Sequence, residues 1–190
     1  MPHIDVRTDL FGVTSLLDYR RDTAEPICAL TQLLLRGEST LTEMERELIA
    51  TLVSIRNGCD FCGAAHAAAT CQLPGGDQSL VHAVVNDLAT APVSEKMRAL
   101  LAIAGAVQQS GRAVTPAHAQ AARDAGATDR EIHDTVLIAA LFSMYNRYVD
   151  GLASVAPTDP AFYDALGARI TTRGYILPPH SYEALRVAGS

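Results

Sequence analysis

Residues 41–73 read LTEMERELIATLVSIRNGCDFCGAAHAAATCQL, two helix patterns with a stop between them. Thr42 and Glu45 stand three apart ahead of an apolar run. That is the spacing of a capping box, in which each side chain satisfies a free backbone N–H near the other. Leu41, Met44, Leu48, Thr51, Leu52 and Ile55 then recur at helical spacing and form one apolar face. Asn57-Gly58 stops this helix, because both residue types tolerate the backbone that closes one. An alanine-rich segment, Asp60 to Cys71, begins almost at once. So short a connection turns the second helix back along the first, and a helical hairpin is expected.

Helical periodicity continues outward on both sides, with no alternating strand. Asp22 to Arg36 is a first helix stopped by Gly37, and Asp77 to Leu88 and Ser94 to Gln109 are further ones. Thr115-Pro116 pairs an N-cap with a proline in the first helical position and opens a helix to about Ala125. Thr128 with Glu131 repeats the capping-box spacing ahead of a long apolar helix that runs to Ala153. That helix is expected at the centre of the fold. After Pro157 come two short helical pieces and the turn-rich RGYILPPH. The expectation is an all-α domain over 1–157 with its motif core at 41–153. Residues 158–190 are expected as a C-terminal helical appendage suited to an oligomer contact. A helical pair occurs twice, at 42–71 and 94–153, but the halves differ too much to be called repeats.

The bulk numbers narrow the partners. A chain of 190 residues, 48% hydrophobic and 19% charged, can bury a core without disulfide staples. Its net charge of -6 and the absence of a Lys/Arg run argue against nucleic acid. No apolar run reaches the ~18 residues of a membrane span, and MPHIDVRTDLFGV is not a signal pattern. A cytoplasmic protein is therefore expected, where structural disulfides are rare. The close pair among Cys28, Cys59, Cys62 and Cys71 needs another role.

The hairpin supplies one. Glu47 lies ten residues before Asn57 and His66 eight after Gly58. At ~1.5 Å rise per residue both stand ~12–15 Å from the turn, at similar height on facing helices. Cys62 and His66, four apart, share a helix face, and Cys59 falls at the helix start. Cys59, Cys62, His66 and Glu47 can thus converge. The partial positive charge of a helix N-terminus lowers a thiol pKa, so one sulfur is expected to ionise near neutral pH. His66 can take a proton from Cys62, Glu47 can orient His66, and a second thiol can resolve an oxidised sulfur as a disulfide. The same four side chains could instead hold structural zinc, although no second Cys-x-x-Cys or His pair accompanies them. They could also be inert buried thiols and a solvated glutamate. Cys28 and Cys71 are expected as packed thiols. His82, His118, His133 and His180 lack spacing partners and are expected at the surface or satisfied. Arg147 and Asp150, three apart, are expected as a local ion pair, although Tyr145, Asn146, Arg147 and Asp150 can alternatively line a pocket or a subunit contact.

Glu47, eleven residues, Cys59-x-x-Cys62, three residues and His66 together resemble the signature of the alkylhydroperoxidase D-like family within the carboxymuconolactone decarboxylase superfamily. The lead-in LTEMERELIATLVSIRNGC and the later MYNRYVDGLA resemble its "peroxidase-related" members, and the likeness covers Leu41 to Ala153. It implies a compact all-α fold of the alkylhydroperoxidase D-like type that assembles as a dimer, trimer or hexamer. The implied chemistry is reduction of hydroperoxides, or of a partner's disulfide, with a dithiol or protein thiol as reductant and no cofactor or metal. Carried over by position, Cys62 resembles the attacking thiol, Cys59 the exposed resolving thiol, and Glu47 and His66 the proton relay. Members of that family carry a histidine just before the second cysteine, where this chain has Phe61, so part of the relay is missing or replaced. A decarboxylase-like enzyme of the same superfamily is the remaining alternative, and adjacent thiols have no use in that chemistry.

Overall fold

The structure, a computed structural model, describes residues 1–185. The last five residues of the expected appendage, 186–190, lie outside the described residues. Nine α-helices and two short 3-10 segments make up the fold among the described residues: α1 Gly12–Tyr19, α2 Arg21–Arg36, α3 Glu43–Arg56, α4 Asp60–Gln72, α5 Gln78–Asn86, α6 Glu95–Gln109, α7 Pro116–Asp124, α8 Asp129–Gly151 and α9 Pro160–Arg173. The all-α expectation holds. No helix among the described residues is long and apolar enough to cross a membrane.

The helix starts are where the caps put them. Thr42 and Glu45 close a full capping box at α3, as do Thr128 and Glu131 at α8. Thr115 caps α7 with Pro116 at its first position. α1 was not expected. Its sequence GVTSLLDY has no side-chain cap, and Val and Thr are poor helix formers. It forms because Leu16 and Leu17 bury in a core shared with α4, α8 and α9. Tertiary packing supplies what propensity withholds.

The centre is shared by α3 and α8. Arg46 to Ser54 of α3 are buried without interruption, because α2, α4, α5, α6 and α8 all pack around this helix. α8 packs against α1, α2, α3, α4, α6 and α7, so the long apolar helix is central as expected. One strip of it, His133, Ala140, Met144 and Arg147, stays exposed. Beyond Pro157 there are two helical pieces, as expected, but the first, α9, is fourteen residues long and the second is a 3-10 turn at Glu183–Leu185. α9 packs along α4.

α3 and α4 form the hairpin. Gly58, at φ +73°, makes the turn that an L side chain would resist. Across the hairpin Ile55 lies against Gly63, Thr51 meets Thr70 and Glu47 meets His66. Arg46, buried at 4% exposure, donates to the carbonyls of Leu34 and Gly37 at 3.1 and 2.8 Å. It satisfies the last turn of α2, where a cation also suits the negative end of the helix. That contact fixes the end of α2, and so Arg36, beside α3.

Candidate active site

Glu47 is completely buried and both of its oxygens are hydrogen-bonded. Its Oε1 accepts from Arg36 Nη2 at 2.5 Å and from the Tyr175 hydroxyl at 2.6 Å. Its Oε2 faces His66 Nδ1 at 2.7 Å. Burial alone would raise this carboxyl's pKa. The hydrogen bond and charge of His66, followed by Arg36 and Tyr175, outweigh it and hold the group below its ordinary 4.5. Glu47 is therefore ionised. An ionised carboxylate can only accept, so His66 carries its hydrogen on Nδ1 and leaves Nε2 as the basic nitrogen. The imidazole is held edge-on by Phe142 at 4.5 Å and nearly parallel to the Tyr175 ring at 6.0 Å.

Arg36 balances the buried charge. The Glu47 carboxylate and the Tyr175 oxygen raise its pKa despite its burial. The Tyr175 hydroxyl goes the same way, pushed well above its ordinary range first by enclosure and then by Glu47. Spacing on the hairpin brought Glu47 and His66 together, but it gave no sign of Arg36 or Tyr175. The available signal was physical: a buried carboxylate needs a cation, and Arg36 is the last residue of the helix packed beside it.

The two sulfurs lie on the other side of His66. Cys59 is the N-cap residue of α4 and Cys62 is in its first turn, both reduced and buried at 1% and 3% exposure. They hydrogen-bond each other, and Asn146 of α8 bonds Cys62. Asn146, also buried, donates to Ser54 Oγ at 3.1 Å and accepts from Asn57 at 2.8 Å. Two sequence expectations fail here. Cys59 was expected exposed, and it is enclosed. Cys62 was expected to ionise near neutral pH, and its pKa is instead pushed well above that of an ordinary thiol. The Cys59 hydrogen bond is the main cause and burial the second, with Asn146 opposing them. The helix end does attract negative charge, but desolvation in a dry corner outweighs it.

Cys62 and His66 open onto one cavity of about 60 Å³. Phe61, Phe142, Leu166 and Ile170 form much of its apolar wall, with Tyr145, Tyr175 and Arg169 among its polar members. Cys59 does not reach it. The Tyr145 hydroxyl is occupied by Thr31 at 2.8 Å. Phe61 points into a cluster with Phe162 and Tyr163 at 6.3 and 6.0 Å, so this position packs against α9 and does no proton work. Cys28, expected as a packed thiol, also touches the cavity, while Cys71 stays half-buried near Gln78. Arg147 donates to the Ser143 carbonyl and forms no ion pair with Asp150 among the described residues. His118 completes the α7 cap and His133 pairs with Asp134, both away from the cavity. Among the described residues no three His, Cys, Asp or Glu side chains are placed to hold a metal ion. The zinc set considered from sequence does not form, because Glu47 is committed to Arg36, Tyr175 and His66.

The family model of the carboxymuconolactone decarboxylase family matches residues 21–74 and 74–156. The chain belongs to this family. Three solved structures are similar to it in architecture. An uncharacterized peroxidase-related protein from Silicibacter sp. TM1040 is 30% identical over 77% of this chain and 76% of its own, with a TM-score of 0.70. An alkylhydroperoxidase AhpD core protein from Ralstonia eutropha JMP134, also described as peroxidase-related, is 26% identical over 82% and 80%, at TM-score 0.71. A protein of unknown function from Agrobacterium tumefaciens, 19% identical over 84% of this chain and all of its own, agrees in fold at TM-score 0.68. No curated protein matches the chain. Within this family fold, the Glu47–His66 pair and the Cys59–Cys62 pair occupy the inner seam of the α3–α4 hairpin, with Tyr175 closing it from beyond α9.

Proposed function

We propose that this protein is a thiol-dependent peroxidase, with disulfide reductase activity as the same chemistry on a sulfur substrate. One observation carries the reading. The second cysteine of the Cys-x-x-Cys pair and His66 line one largely apolar cavity, and a buried carboxylate fixes Nδ1 of that histidine. Peroxide entering the cavity meets Cys62, because Cys59 lies behind it. The Cys62 thiol is protonated at rest, so His66 Nε2 takes that proton as sulfur attacks the terminal peroxide oxygen. The O–O bond breaks, the terminal OH stays on sulfur as a sulfenic acid, and the departing alkoxide recovers the proton from His66 as an alcohol. Cys59 then attacks the Cys62 sulfur. A disulfide forms, and the hydroxyl leaves as water with the Cys59 proton. An external dithiol or protein thiol returns two electrons and two protons by exchange. Nε2 is the ring nitrogen that Glu47 leaves free, and Glu47 stabilises the imidazolium that forms. The reading includes homo-oligomeric assembly, which light scattering would count.

The test is peroxide consumption with several candidate thiol reductants, run beside two variants. Cys62→Ser should abolish turnover. Cys59→Ser should allow one equivalent of peroxide to react and leave a sulfenic acid at Cys62 that a dimedone probe captures. Undiminished turnover by Cys62→Ser would overturn the reading.

A further inference from the structure

Arg169 stands out among the residues that line the cavity. The nearby guanidinium of Arg36 is matched by Glu47. Arg169 has no carboxylate partner among the described residues. Among the described residues its one hydrogen bond is to the Ile176 carbonyl at 3.5 Å, the outer limit for such a bond. Its guanidinium lies over the Tyr182 ring at 4.9 Å. Burial, and then the like charge of Arg173, push its pKa down, yet an arginine stays charged in a protein. A half-buried cation with no carboxylate partner among the described residues favours an anion that visits it. Arg169 also lines the outer groove formed with Arg173, Ile176, Pro178 and Tyr182. It therefore stands between the solvent-facing groove and the enclosed space that holds Cys62 and His66.

We propose that Arg169 anchors a carboxylate on the substrate, so that the cavity takes a short apolar acid with its reactive end toward Cys62. This deepens the peroxidase reading and rests on it for the identity of the reactive end: the favoured substrate is a hydroperoxy acid rather than a neutral hydroperoxide. The planar guanidinium matches a carboxylate with two parallel hydrogen bonds. The apolar wall of Phe61, Leu166 and Ile170 receives the hydrocarbon body. No group in that wall competes for the acid, because the carboxylate of Glu47 lies behind His66 and Tyr175.

Binding separates this inference from the chemistry. Propionate and propan-1-ol, short enough for a cavity of about 60 Å³, are titrated into the reduced protein by calorimetry, with Arg169→Gln and Arg169→Lys alongside. Propionate should bind wild type about 10- to 100-fold more tightly than propan-1-ol, the range of a charge-assisted hydrogen bond. Arg169→Gln should bring the two ligands within about threefold of each other while propan-1-ol still binds, and Arg169→Lys should keep part of the preference, since it keeps charge but loses the fork. Equal binding of the two ligands by wild type overturns the inference. So does loss of both ligands in both variants, which would make Arg169 a packing residue. In parallel, kcat/KM is measured for a short-chain hydroperoxy acid and the neutral alkyl hydroperoxide of the same length. An acid preference in binding with no peroxide consumption would leave the anion site standing and overturn the peroxidase reading. Cys62-dependent consumption without any acid preference would do the reverse.

Discussion

Replacing Glu47 by Gln changes one atom and should be felt twice. The amide keeps the shape and its Oε1 can still accept from Arg36 and Tyr175. The charge disappears, however, and Arg36, whose side chain is only 6% exposed, keeps its own. Removing one partner of a buried pair costs ~3–5 kcal/mol, and the retained hydrogen bonds put this case near the lower end, about 3 kcal/mol. For a chain of this length each kcal/mol moves Tm by roughly 2–4 °C, so Glu47→Gln should melt about 6–12 °C below wild type at pH 7. The loss should depend on pH with a definite sign. The folded carboxyl is held below its ordinary 4.5. Its stabilisation is therefore complete above that value and is lost as pH falls through the folded pKa. The gap between wild type and variant should shrink below pH 4.5. The second effect is on His66. A Gln amide N–H facing Nδ1 turns that nitrogen into an acceptor and moves the imidazole hydrogen to Nε2. The base is then on the wrong nitrogen, and peroxide consumption should fall by ~100-fold or more. Calorimetry across pH 3–8 and a turnover assay check both halves. A variant that melts within about 2 °C of wild type at pH 7 would refute the claim that Glu47 is a charged, paired group.

Three further outcomes follow from neighbouring geometry. Asn146→Ala removes the amide between Ser54, Asn57 and Cys62 and leaves buried polar atoms unpaired; it should cost ~1–3 kcal/mol in urea unfolding and raise the Cys62 pKa further. Gly12→Ala places a Cβ against the buried Phe61 ring at a backbone φ of +53°; it should cost about 3 kcal/mol, and a neutral result would mean that Phe61 is free to move. Because the Cys62 pKa is raised well above 9.0, its alkylation rate by iodoacetamide, followed by mass spectrometry of the labelled peptide, should still be climbing at pH 9 and should not reach a plateau near neutrality.

The parts of the fold that were legible in sequence are the ones that local physics decides. Capping boxes at Thr42 and Thr128 and the Asn57-Gly58 stop set helix ends within a residue or two, and helical rise put Glu47 opposite His66. What was not legible depends on distant chain. Tyr175 reaches Glu47 across 128 residues and Arg36 across 11, and no periodicity encodes either contact. α1 lacks a cap and exists only because its leucines find a core. The thiol expectation failed for a related reason. The sequence shows that Cys62 begins a helix, but not how deep that helix end is buried, and depth decides between the dipole and desolvation.

The high resting pKa of Cys62 is consistent with a thiol-peroxidase mechanism once the two buried networks are considered together. Glu47 and Ser54 are seven residues apart on α3 and so share a face of that helix. The first controls His66 directly, and the second holds Asn146, which bonds Cys62. Cys62 and His66 are one turn apart on the facing helix. A thiolate formed between them gains the Asn146 hydrogen bond, and the proton that leaves goes to an imidazole whose positive charge is already opposed by Glu47. The ion pair of thiolate and imidazolium is thus stabilised at both ends, whereas a lone thiolate would suffer the full cost of burial. In the proposed mechanism the sulfur is protonated at rest and is ionised only as the proton moves to Nε2. A reactive sulfur at neutral pH therefore requires the pair, and removing either support, the charge of Glu47 or the amide of Asn146, should slow the sulfur more than it unfolds the protein.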